Sequence, residues 1–228
     1  MSMGLPGHHP QEDLLLRYAS GELREIKSLL VATHLAYCPA CRARVAVFEA
    51  QCGAWFDETP ATPADGRLDT LLERLHGQLD TTPPAFVPPP MPVPADAARP
   101  VPEPLRSWLE GPMMERAWKA VSPGVWLSEW GREAGGSSVC LLRMGPGAPV
   151  PAHHHTAAEI LLVLQGAFRD EYGQFQLGDV IEYAPDSDHH AVGNESGECI
   201  CLFLLDGEIV FLNEPGPDER PDEPGATA

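Results

Sequence analysis

The chain has 228 residues, with 33 acidic against 15 basic side chains and a net charge of −18 at pH 7. That balance argues against direct binding to nucleic acid or to an anionic membrane surface. The 43% hydrophobic content can bury substantial cores, and the length admits one large domain or two of ordinary size, ~100–150 residues each.

The prolines decide for two. Ten of the 25 lie between Pro83 and Pro104, where too little periodic apolar content remains for a helix or a central strand. The chain therefore divides into an N-terminal domain (1–80), a proline-rich linker (81–106), a second domain (107–215) and a disordered acidic tail (216–228). The second domain is the acidic one. No stretch is long and apolar enough for a membrane span, and Met1 to Gly7 lacks a basic region followed by an apolar core, so a cytoplasmic location is expected. In a reducing compartment the six cysteines are thiols or metal ligands rather than disulfides.

The N-terminal domain is helical. Leu14, Leu15, Tyr18 and Ala19 are spaced for a first short helix over 12–20, stopped by Ser20-Gly21. A second begins at Glu22, with Leu23, Ile26, Leu29, Leu30, Thr33, His34 and Tyr37 on one face, and stops before Pro39. That proline opens a third helix, Ala40 to Phe56. After a Thr/Pro break, Leu68, Leu71, Leu72, Leu75 and Leu79 stripe a fourth over Ala64 to Leu79, and this stripe needs a cover.

A bundle of such short helices buries only a small core and needs a staple. His34-x3-Cys38-x2-Cys41 supplies one around the junction of the second and third helices. One imidazole and two thiols suit zinc, and they leave a tetrahedral position for His8 or His9. His9 and His34-x3-Cys38-x2-Cys41, set in LLLRYASGEL and VATHLAYCPACRAR, resemble the zinc-binding anti-sigma domain of the ChrR-type anti-sigma factors over residues 8–80. The resemblance implies helices bundled around zinc held by His9, His34, Cys38 and Cys41, with a fourth, mobile helix. Together they would occlude the polymerase-binding surfaces of an extracytoplasmic-function sigma factor.

From Val125 to Phe211 the chain alternates short apolar segments with Gly/Pro/Asp turns, the pattern of an antiparallel barrel or sandwich. Within it lie Gly147-x5-His153-x-His155-x3-Glu159-x6-Gly166 and Gly178-x6-Pro185-x-Ser187-x2-His190-x3-Asn194. His153 and His155 share one face of a strand and Glu159 returns to it, while His190 approaches from a neighbouring hairpin. Three imidazoles and a carboxylate suit Zn, Mn, Fe, Ni or Cu. His154 points to the opposite face, and His189 falls one residue short of the spacing from Pro185.

These segments are similar to the paired motifs of the cupin superfamily, with Ser187 where glycine is usual. The expected architecture is thus an all-α zinc bundle followed by an all-β cupin, a double-stranded β-helix or jelly-roll barrel. That domain order is the ChrR-type organisation. The resemblance implies no enzyme but a regulator that releases its sigma factor when singlet oxygen or organic hydroperoxides act through the cupin metal site, zinc or another divalent transition metal. A metal-dependent cupin oxygenase or isomerase with an N-terminal zinc scaffold is the alternative. Cys140, Cys199, Cys201 and Cys52 are expected to be small packing residues, the Cys199/Cys201 pair being also a candidate for sensing.

Overall fold

A computed structural model describes residues 5–60, 66–81, 102–106, 117–132 and 136–212. Most of the proline-rich linker and the acidic tail lie outside the described residues. The chain is a helical N-terminal part followed by a β-rich cupin-like domain.

Helix α1 (Glu12–Ala19) opens with Glu12 and Asp13, which favour the positive end of the helix dipole. It closes at Gly21, whose φ of +75° is the left-handed conformation that a helix stop asks of glycine. Helix α2 (Glu25–Tyr37) starts three residues later than its apolar spacing suggests, and α3 (Pro39–Glu58) begins with Pro39 in its first turn. Cys38 caps α3, its sulfur accepting the Cys41 N–H at 3.4 Å. Helix α4 (Arg67–Thr81) presents Leu68, Leu71, Leu72 and Leu75 roughly half exposed. A single helical turn, α5 (Glu103–Arg106), sits where the composition reads as linker, with Leu105 fully buried.

The β part has twelve described strands: β1 (Lys119–Ser122), β2 (Val125–Arg132), β3 (Ser138–Met144), β4 (His153–His155), β5 (Glu159–Gln165), β6 (Ala167–Arg169), β7 (Gln174–Gln176), β8 (Val180–Tyr183), β9 (Asp188–His189), β10 (Val192–Gly193), β11 (Cys199–Leu205) and β12 (Ile209–Phe211). All pairings are antiparallel. The order β1-β2-β3-β11-β5-β8 forms one large sheet, and β10-β6-β7 and β12-β4-β9 form two small ones.

Alternation along the central strands assigns their side chains to two cores. Cys199, Cys201, Phe203 and Leu205 join the interior of the cupin with Met144, Leu161, Val163, Phe168 and Phe175. Ile200, Leu202 and Leu204 face the other way and share one cluster with Leu14, Leu15, Ile26, Leu30 and Val31 of the helices. The helical part is therefore docked on the outer face of the large sheet. This explains why β5 and β11 are continuously apolar rather than alternating: both of their faces are covered.

Candidate metal centres

The junction of α2 and α3 brings four of the expected donors together. His9, His34, Cys38 and Cys41 place one ligand atom each within 4.8 Å of all the others. His9 Nδ1 lies 3.4 Å from Cys38 Sγ and 3.5 Å from Cys41 Sγ. His34 is fully buried and donates Nδ1–H to the carbonyl of Gly178 at 2.6 Å, which leaves its Nε2 lone pair free. That Nε2 is buried with no hydrogen-bond partner. Burial lowers the His34 pKa and keeps the ring neutral, while burial and Cys38 push the Cys41 thiol up to about 12. A bound cation stabilises the thiolate and displaces that proton. The orphaned nitrogen and the two sulfurs thus fit a zinc ion. His8 is directed elsewhere, to the carboxylate of Asp179.

The second set converges inside the cupin, with one change of residue. His153 and His155 project inward from β4, and the histidine opposite them is His189, not His190. His189 Nε2 stands 2.8 Å from His153 Nε2 and 3.1 Å from His155 Nε2. The spacing rule fails because of the turn before β9. Asp186 takes a left-handed φ of 60°, and the turn closes on β4 through Asp186 N–H to His155 O and His155 N–H to Ser187 O. The strand then starts at Asp188, and its register pairs His189 with His153 and Asp188 with His154. His190 falls beyond the strand, exposed and paired with Glu171. His154 faces outward, bonded to Asp188 at 2.7 Å.

Two of the inward rings have partners that orient them, while the Nδ1 of the third, His155, is buried with no hydrogen-bond partner. His153 donates Nδ1–H to Pro151 O at 2.8 Å, and His189 Nδ1 faces Asp170 at 3.3 Å, so both turn Nε2 to the common point. Burial, then the neighbouring His189 and His153, lowers the His155 pKa to about 4, and burial lowers that of His153. Three imidazole nitrogens aimed at one another cannot all be satisfied by hydrogen bonds among themselves, whereas a transition metal accepts all three. Glu159 is buried beside this group, with Oε2 3.6 Å from His155 Nδ1, and burial pushes its carboxyl up to about 8. It does not join the three converging nitrogens. Above the histidines lies a cavity of about 410 Å3 walled by apolar side chains such as Leu142, Phe168 and Phe203 and bordered by Lys119. Cys199 and Cys201 are fully buried behind it, their sulfurs 3.7 Å apart.

Residues 112–208 match the ChrR Cupin-like domain family. Over 211 residues the chain is 35% identical to the anti-sigma-E factor ChrR of Cereibacter sphaeroides, covering 90% of this chain and 92% of that protein. This chain belongs to the ChrR family of anti-sigma factors. Its structure is similar to that of ChrR in the crystal structure of Rhodobacter sphaeroides SigE in complex with the anti-sigma ChrR. The TM-score is 0.70 at 32% identity, over 87% of this chain and 98% of that one. Membership in that family makes the chain a regulator rather than a cupin enzyme. No described helix is long and apolar enough to cross a membrane.

Proposed function

We propose that this chain sequesters an extracytoplasmic-function sigma factor in the cytoplasm and releases it under oxidative stress, singlet oxygen or an organic hydroperoxide, sensed through the cupin domain. The observation that carries the sequestering half is the half-exposed leucine stripe of α4, in a chain similar over 87% of its length to ChrR, which was crystallised with SigE. An apolar stripe at helical spacing suits a groove on a protein partner. Residues 1–80 are the main binding element of this reading.

In the same proposal His9, His34, Cys38 and Cys41 hold zinc, and His153, His155 and His189 hold zinc or another divalent transition metal, with Glu159 the candidate fourth donor. Zinc held by His9, His34, Cys38 and Cys41 would tie the N-terminal segment to the α2–α3 junction, and a metal held by His153, His155 and His189 would supply an electrophilic centre. Around it, Pro151 and Asp170 orient two of the rings, and Phe168 and Phe203 form part of the cavity's apolar wall.

The test is affinity purification of the tagged full chain from its own host, followed by mass spectrometry with and without a pulse of singlet oxygen. A sigma factor retained before the pulse and lost after it is the expected result. Retention unchanged by oxidants overturns the sensing half, and absence of any sigma factor overturns the whole.

A further inference from the structure

The turn between β7 and β8 belongs to the cupin, yet it grips the segment that carries the N-terminal metal donors. Asp179 is 1% exposed. Its Oδ1 accepts the N–H groups of Gly7 at 2.7 Å and His8 at 3.1 Å, and its Oδ2 accepts the Gln176 N–H at 2.8 Å and faces His8 Nδ1 at 3.2 Å. The Val180 N–H donates to His8 O at 3.2 Å, immediately before His9. One residue earlier, the Gly178 carbonyl receives the 2.6 Å hydrogen bond from His34 Nδ1. The ring of one candidate ligand, His34, is therefore held directly by the other domain, and the backbone leading into a second, His9, is anchored by the two residues that follow Gly178.

The approach requires glycine. Gly178 has φ +88°, and a Cβ there would lie 2.9 Å from Pro6 Cγ and 3.0 Å from Tyr37 Cβ. From this turn β8 runs four residues to Tyr183, whose ring stacks on His155 at 5.6 Å with an interplanar angle of 3°. A cleft of about 540 Å3 between the two parts is lined by His9 on one side and Tyr183 on the other.

We infer that Gly178 and Asp179 are positioning residues of the His9/His34/Cys38/Cys41 site, Gly178 through the His34 ring and Asp179 through the backbone that precedes His9, so that the cupin domain contributes to the outer shell of the anti-sigma domain's metal. The inference rests on the reading that these four residues bind zinc. Carbonyls and carboxylates that accept from ligating histidines set ring orientation and tautomer, and their loss commonly costs about 10- to 100-fold in metal affinity. Asp179→Asn keeps the shape but turns one acceptor oxygen into a donor, so at least one backbone N–H that Asp179 accepts loses its partner. Gly178→Ala pushes the turn away from α2 and stretches the bond to His34.

The experiment uses the purified full chain loaded with Co2+, followed through the thiolate-to-cobalt absorption, which reports only the site with cysteines. Chelator competition at this band gives the metal affinity of the parent, Asp179→Asn, Gly178→Ala and, as reference, Cys38→Ser. Gly178→Ala is expected to bind about 10- to 100-fold more weakly and Asp179→Asn, which acts only through the backbone before His9, more than about threefold more weakly, both with shifted ligand-field bands. Affinities within threefold of the parent and unchanged bands overturn the inference. So does a loss of thermal stability in the metal-free protein without any change in the cobalt bands, which is the signature of a merely structural role. A Cys38→Ser chain with undiminished absorption and affinity overturns the zinc reading itself, and with it this inference.

Discussion

The α4 stripe gives a prediction whose size follows from exposure. Leu68, Leu71, Leu72 and Leu75 are 49, 48, 44 and 45% exposed, and their spacing places them on one face of the helix. Full burial of a leucine side chain is worth about 1.5–3 kcal/mol, so covering the exposed half of each contributes about 1 kcal/mol, or about 4 kcal/mol for the four. At about 1.4 kcal/mol per decade, replacing all four by serine weakens binding to the sigma factor by about a thousandfold. Because these side chains already face solvent, the same substitutions change the stability of the free chain by no more than about 0.5 kcal/mol each. Fluorescence anisotropy with the purified sigma factor measures the first effect, and chemical denaturation with circular dichroism the second. A loss of less than threefold in affinity, with α4 still helical, refutes the assignment of this stripe to the partner.

Further outcomes follow from other residues. Cys38→Ser is expected to remove the N-terminal zinc, measured by metal analysis, and to unfold the helical bundle, since the binding energy of a structural zinc is folding energy. His189→Ala loses the cupin metal and His190→Ala keeps it, a contrast that elemental analysis resolves. Leu30→Ala, at a position 1% exposed in the cluster shared by helices and sheet, costs about 2–5 kcal/mol in a single denaturation transition that includes both parts. Burial raises the Asp206 carboxyl, but the Ser137 hydroxyl and the Lys27 ammonium outweigh it and hold the group below its ordinary value. Its stabilising contribution is present above the ordinary aspartate pKa of ~3.9 and fades as pH falls through the lower folded value. Asp206→Asn removes that acid-side step from a plot of stability against pH.

Most of the chain's elements were legible because their signals are local. Ser138–Met144 is bounded as its alternation suggests, and Pro39 marks both the end of α2 and the start of α3. The His34, Cys38 and Cys41 spacing lies within one helix–turn–helix, so it transfers directly to geometry. The His190 assignment failed because it depended on counting through a turn. A left-handed Asp186 where the usual pattern has glycine one residue later changes which neighbour faces inward, and only the register of β9 against β4 decides it. The docking of helices on the sheet was missed for a different reason, since it is a contact between residues more than a hundred apart. Its signature was nonetheless present in the unbroken apolar runs of Ile160–Leu164 and Cys199–Leu205, which a sheet with one wet face would not carry. The single turn α5 carries no such signal, because Leu105 stands alone among prolines and its burial is decided by α2.

The central claim is that the zinc-stapled helical part of this chain holds a sigma factor. The most direct measurement is the dissociation constant of the purified, zinc-loaded full chain for the extracytoplasmic-function sigma factor of its own host, repeated after the N-terminal zinc is withdrawn. A tight complex with zinc and its loss without zinc is the expected result. Binding of equal strength in a chain shown to lack that zinc, or no binding in either state, contradicts it.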